Sequence, residues 1–222
     1  MLRYVKAQEL TNDILKHVDQ VSSVLLFLSG GSAIEQEVAM LKSFSQSQKE
    51  RITLSMVDER AVPYESVDSN WGSILQLYPE IEDEFDYITI NPEKDPGEAA
   101  IELSTELNTV IVNFDQVIGI YGVGEDGHTA GMQPMDEDEF TERFLQPHVY
   151  ACYYEGQDFP RVTTTNAVIK KLDHCLVYAV GKGKKSVLED LQDEVPAHEM
   201  PSQLLKNAKK LTVYTDQIVT KD

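Results

Sequence analysis

The segment GIYGVGEDGHTAGMQP, residues 119–134, carries an apolar run into two carboxylates, a glycine and a histidine. Imidazole takes up and releases a proton near neutrality, so His128 is a candidate general base held at a strand end. The plain alternative is a surface turn with a structural histidine, and the choice depends on what else converges there. No second His or Cys lies at ligand spacing, and the acidic run MDEDEF lacks the alternation of a calcium loop. The segment therefore does not read as a metal site, and MDEDEF reads as a solvated face.

Three further motifs could bind an anion. In LSGGSA, Gly30 and Gly31 separate a strand from a helix, and Ser32 follows them. Such a turn lets backbone approach a ligand closely and leaves N–H groups free at the helix start. It lacks the spacing of a Walker A loop and is otherwise only a tight turn. In VDERAVPYESVDSN, Arg60 can aim its planar fork at a phosphate, with Asp58 orienting it or touching a sugar. The same residues also suit a surface ion pair, and Ser69 and Asn70 suit a helix N-cap. Finally, FPRVTTTN puts Arg161 at the start of a strand, and AVGKGKKSVLEDL puts Lys182, Lys184 and Lys185 at a strand-to-helix turn. A helix start disfavours lysine unless an anion is bound there.

The intervening segments supply a frame for these motifs. SVLLFLSGGS, RITLSMVDER, FDYITINP, DQVIGIYGVG, RVTTTNAVI, HCLVYAV and KKLTVYT read as strands. Between them AIEQEVAMLKSFSQ, SNWGSILQLY, GEAAIELSTELNTVIVNF and KKSVLEDLQ have helical spacing, and residues 1–21 read as an amphipathic helix. Apolar strands without alternation, each followed by a helix, predict an α/β fold. The sheet is mainly parallel, Rossmann-like, with helices on both faces. In such sheets ligands bind beyond the carboxyl ends of the strands, where these motifs fall. With no repeat and no long polar linker, residues 1–222 read as one domain.

Charge and cysteine usage narrow the function classes. The 222 residues include 19 basic and 38 acidic side chains, a formal charge of −19. That excludes a broad nucleic-acid surface and predicts repulsion from anionic membranes. An anionic substrate then requires a few cations gathered at one place. Cys152 and Cys175 are far apart in sequence and read as reduced thiols. With no apolar run of membrane-spanning length, the expectation is a soluble, cytoplasmic protein.

Taken in order, SGGS, DERAVP…SN, GVGEDGHTA, PRVTTT and VGKGKKSVL resemble the signatures of 6-phosphogluconolactonases over nearly the whole chain. The resemblance implies an α/β fold related to glucosamine-6-phosphate deaminase and ribose-5-phosphate isomerase. It also implies hydrolysis of 6-phosphoglucono-δ-lactone in the oxidative pentose phosphate pathway. By the same resemblance His128 is the base and Asp126 its orienting acid. Arg60, Arg161 and Lys184 are the cations around the phosphate, and Gly30, Gly31 and Ser32 form the phosphate and sugar loop. No metal or organic cofactor is implied, and the partner is a small phosphosugar lactone, bound by a monomer or weak homo-oligomer.

The chain departs from the family pattern at Glu125, where proline is usual, and at Gly131, Met132 and Gln133 in place of Ser-Leu-Phe. Ala33 and Ile34 stand where Thr and Pro are common. Two rivals are a glucosamine-6-phosphate deaminase or sugar-phosphate isomerase, and a non-catalytic sugar-phosphate sensor. Gln133, which cannot ionise where the deaminases carry glutamate, weighs against the first. Retention of His128 together with the three cations weighs against the second.

Overall fold

The computed structural model describes residues 3–156 and 159–219. Among these residues the strands are β1 (Arg3–Lys6), β2 (Val24–Leu28), β3 (Ile52–Met56), β4 (Asp58–Arg60), β5 (Asp86–Ile88), β6 (Gln116–Tyr121), β7 (Ala151–Glu155), β8 (Pro160–Thr164), β9 (His174–Ala179) and β10 (Leu211–Thr215). The α-helices among the described residues are α1 (Leu10–Gln20), α2 (Ile34–Lys42), α3 (Gln46–Lys49), α4 (Asn70–Leu77), α5 (Ile81–Glu84), α6 (Pro96–Val110), α7 (Glu137–Phe144), α8 (Asn166–Ile169) and α9 (Lys184–Asp190).

Seven strands form a parallel sheet in the order β1-β10-β9-β6-β2-β3-β5. All five residues of β2 are buried, because its side chains alternate between two covered faces. Leu25 and Phe27 join a core with Leu103 and Leu107 of α6 and Val187 and Leu188 of α9. Val24, Leu26 and Leu28 join the opposite core, with Ile14 of α1, Leu41 of α2 and Trp71 of α4. Each such side chain contributes roughly 1.5–3 kcal/mol on burial. Helix α6 starts as its residues dictate: Pro96 fills the first turn and the Asp95 carboxylate accepts from Gly97 N and Glu98 N.

Several segments differ from the sequence reading, among them NAVI (Asn166–Ile169), read as the end of a strand and found as helix α8 after β8 closes at Thr164. Residues 3–6 form edge strand β1 rather than the start of a helix; Met1 and Leu2 lie outside the described residues. Four residues with both ends exposed give no periodic signal, and β1 exists through its pairing with β10, over two hundred residues away in sequence. The run RITLSMVDER splits at Val57. Its N–H donates to Leu28 O in the main sheet, while its carbonyl accepts from Thr164 N. Beyond this hinge β4 enters a second, antiparallel sheet, β4-β8-β7, which also contains the RVTTT segment. The acidic MDEDEF run is indeed a solvated face: α7 exposes its acids and buries Phe140 and Phe144.

Strand β2 has β3 on one side and β6 on the other, so the chain reverses its winding direction beside β2. Crevices at the carboxyl ends of strands at such a reversal are where ligands bind. No helix among the described residues is long and apolar enough to cross a membrane.

Candidate active site

A cavity of about 320 Å³ opens at this reversal. Gly30, Gly31, Ser32, Asp58, Arg60, His128, Arg161 and Lys184 all line it. Asp126 stands just outside, against the histidine. Four motifs spread over 155 residues of sequence are thus brought to one hollow.

The glycine loop follows β2. Gly30 has φ 72° and ψ −160°, a conformation closed to side chains, and a Cβ there would fall 2.5 Å from Asn70 Cγ. Its N–H and that of Ser29 point away from the cavity, to the carboxylate of Glu37. Gly31 N donates a long 3.4 Å bond to Asn70 Oδ1. The groups left to meet a ligand are therefore those of Gly31 and Ser32.

The cations come from the small sheet. Asp58 is buried and accepts from Arg161 Nη1 at 3.3 Å. Burial raises the Asp58 carboxyl, partly offset by Arg161, Arg60 and His128. Arg60 and Arg161 are register partners across β4 and β8, two like charges directly opposite each other. Like charges so placed destabilise a strand pair, and the Asp58 carboxylate offsets part of that repulsion. Arg60 Nη1 donates to Asp68 O at 2.7 Å, while its buried Nε has no partner. Glu59 between them is structural: it accepts from Arg60 N, Asn70 N and Trp71 N and anchors the start of α4. Burial pushes Glu59 up to about 7 in spite of these donors.

The turn after β6 presents the base. His128 Nδ1 lies 2.6 Å from Asp126 Oδ1, and the same oxygen accepts from His128 N. With Nδ1 held by a carboxylate, Nε2 is the free ring nitrogen. Burial opposes ionisation of Asp126, but its bonds to His128 outweigh it and hold the carboxyl below its usual range. The ring packs on Gly124, where a Cβ would come within 2.1 Å of Nδ1. Gly127, at φ 84°, closes the turn. Lys184 Nζ donates to Val123 O at 2.7 Å, which docks the head of α9 on this turn. Lys182 and Lys185 are exposed, so only Lys184 of the three lines the cavity.

The departures from the family pattern also find places. Gly131 lies against Thr163, where a Cβ would meet a carbon at 2.8 Å, and its N–H donates to Thr163 Oγ1. Met132 is fully buried and Gln133 lines the cavity. The Glu125 carboxylate lies against Gly183, where a Cβ would be 1.9 Å from Oε1. Sequence reasoning missed Asn70 and Tyr178 as cavity residues and Glu37 behind the loop. Asn70 was legible only as a possible cap; Ser69 makes the cap, and Asn70 bridges Asp58 O and Gly31 N. Among the described residues, no three His, Cys, Asp or Glu side chains cluster as metal ligands.

A doubly wound α/β sheet with a cation-lined hollow and a carboxylate-held histidine at its winding reversal is the arrangement of an α/β enzyme with an anion-binding, base-bearing cleft. Comparison with known proteins agrees. The family described as Glucosamine-6-phosphate isomerases/6-phosphogluconolactonase matches residues 3–214, and the chain belongs to it. It is 30% identical over 208 residues to 6-phosphogluconolactonase of Homo sapiens, covering 86% of this chain and 78% of that one. It is 27% identical over 196 residues to 6-phosphogluconolactonase of Rhizobium meliloti, covering 85% and 83%. The crystal structure of 6-phosphogluconolactonase from Thermotoga maritima shares the fold with a TM-score of 0.78 at 18% identity, covering 97% of this chain and 98% of that one. The Trypanosoma brucei enzyme does so with a TM-score of 0.76 at 18% identity, covering 97% and 96%.

Proposed function

We propose that this protein hydrolyses 6-phospho-D-glucono-1,5-lactone to 6-phospho-D-gluconate, as a single catalytic domain of the oxidative pentose phosphate pathway acting in the cytoplasm. One observation carries the site assignment: Arg60 and Arg161 face each other across two strands in the same cavity as an imidazole with a free Nε2. The arginine pair and Lys184 hold the phosphate, with Gly31 and Ser32 beside it. That grip fixes the lactone ring near His128.

His128 Nε2 takes a proton from water as the water oxygen bonds to the lactone carbonyl carbon. Asp126 keeps Nδ1 protonated and stabilises the imidazolium that forms. When the tetrahedral intermediate collapses, the bond from that carbon to the ring oxygen breaks. The ring oxygen takes the proton back from His128, and the new carboxyl group ionises in water. A lactone is already a reactive ester, so no step calls for a metal or organic cofactor. Gln133 on the cavity wall cannot ionise, which weighs against deamination or isomerisation.

The test is an assay on freshly made lactone, corrected for spontaneous opening, run in parallel with glucosamine 6-phosphate. Lactone hydrolysis without ammonia release is expected. Ammonia release with the lactone untouched would overturn the reading.

A further inference from the structure

One ionisable group beside the cavity takes no part in the scheme above. Glu37, near the start of α2, is fully buried behind the glycine loop. Its two oxygens serve consecutive peptide groups: Oε1 accepts from Ser29 N at 2.7 Å and Oε2 from Gly30 N at 3.1 Å. The Ser29 hydroxyl in turn accepts from Gly122 N at 3.0 Å, and Gly122 O accepts from Thr129 Oγ1 at 2.7 Å. Thr129 follows His128 in the chain. Glu37 is thus joined by continuous hydrogen bonds to the ends of both strands that carry the site, β2 and β6.

We propose that Glu37 is a positioning residue: as a carboxylate it fixes the glycine loop and, through Ser29, the His128 turn at the spacing one phosphosugar needs to touch both. The inference rests on the phosphosugar reading of the cavity. The donor count favours the ionised form. A carboxylate accepts strongly at both oxygens, whereas a neutral carboxyl has one hydroxyl oxygen, a weaker acceptor that carries its own proton. On protonation, the bond from Ser29 N or from Gly30 N weakens and the hold on the loop loosens.

Burial pushes Glu37 up to about 7 against the pull of its two amides, and no charged side chain shares in that shift. Helix α4, packed on α2, carries no titratable side chain. Helix α1, reached through Gln36 and Thr11, carries Asp13, Lys16, His17 and Asp19. Glu35 and Lys42 share α2 with Glu37. The cavity side presents Asp58, Arg60, His128, Arg161, Tyr178 and Lys184.

The first test needs no turnover. In the wild-type protein the amide resonances of Gly30 and Gly122, followed by NMR across neutral pH, should titrate together; in Glu37→Gln both should lose that titration. Gly122 standing still while Gly30 titrates, or titration unchanged in Glu37→Gln, would overturn the proposal. The second test is kinetic. The ratio of wild-type to Glu37→Gln kcat/KM on the phosphorylated lactone should be about tenfold at pH 8, carried by KM, and shrink toward one at pH 6. Titration of the substrate phosphate is common to both proteins and cancels in that ratio. A ratio constant across the range would make Glu37 merely structural and overturn the proposal. A wild type inert toward lactone would instead refute the proposed function, while the resonance titration still decides whether Glu37 couples the two turns.

Discussion

At one end of the main sheet His174 opens β9, and at the other His128 follows β6. Both rings sit beside hydrogen-bonding neighbours, yet their surroundings differ in kind. His174 is buried and uses both nitrogens, Nδ1 with His17 Nε2 at 3.0 Å and Nε2 with Thr212 Oγ1 at 2.8 Å. Burial pushes its pKa down to about 3, with Lys210, His17 and Arg3 adding to the effect. The His128 side chain is 38% exposed and engages a carboxylate at one nitrogen only. A histidine does chemistry where one nitrogen is oriented and the other left free; where both are engaged inside the core, it is part of the packing.

Replacing each ring tests this contrast most severely. His128→Ala should lower kcat on the lactone by about 10²–10⁴-fold while 6-phosphogluconate still binds. His174→Ala should leave kcat unchanged and lower the unfolding free energy by about 1–3 kcal/mol, since it strips partners from buried polar groups. Similar kinetics for the two variants would erase the distinction.

The arginines should separate in the same way. Arg161→Ala leaves the buried Asp58 carboxylate without its partner and should destabilise the fold by about 3–5 kcal/mol, read from urea unfolding. Arg60 pairs with no carboxylate among the described residues. Arg60→Ala should mainly raise KM for the phosphorylated lactone, by about 10–100-fold, with a smaller change in kcat. Asp126→Asn should lower kcat by about tenfold, a modest effect because its carboxylate is half-exposed and screened.

The smallest effects are on the pH dependence of stability, and His174 and Glu59 contribute with opposite sign. His174 stays neutral in the native state, whereas an unfolded histidine takes a proton near 6.5, so its contribution is lost as pH falls below that value. Glu59, raised to about 7 by burial, acts the other way. The native state keeps a proton that the unfolded chain has released above about 4.5, so stability is lost as pH rises from 4.5 through 7. Urea midpoints should therefore fall less steeply between pH 5 and pH 8 in Glu59→Gln than in wild type.

What the sequence made legible was local. Glycines after a buried strand, an Asp-Gly-His turn and a lysine at a helix start each advertise a strand-end loop, and all three loops reach the cavity. What it hid was non-local. Nothing within either segment shows that Arg60 pairs with Arg161 in a second sheet, because register across distant strands is set by tertiary packing. Within AIEQEVAMLKSFSQ nothing local separates Glu37 from the other polar residues. Its placement inside depends on two amides that only the folded glycine loop turns toward it. The edge strand at residues 3–6 was hidden for the same reason, since its partner is at the far end of the chain.

The central claim is that the cations and the base act on one phosphorylated substrate. It is tested most directly by comparing kcat/KM for 6-phosphoglucono-1,5-lactone with that for unphosphorylated glucono-1,5-lactone on the wild-type protein. A preference of about a hundredfold or more for the phosphorylated lactone is predicted, the worth of two or more charge-assisted contacts. Equal values for the two lactones would contradict the roles given to Arg60, Arg161 and Lys184.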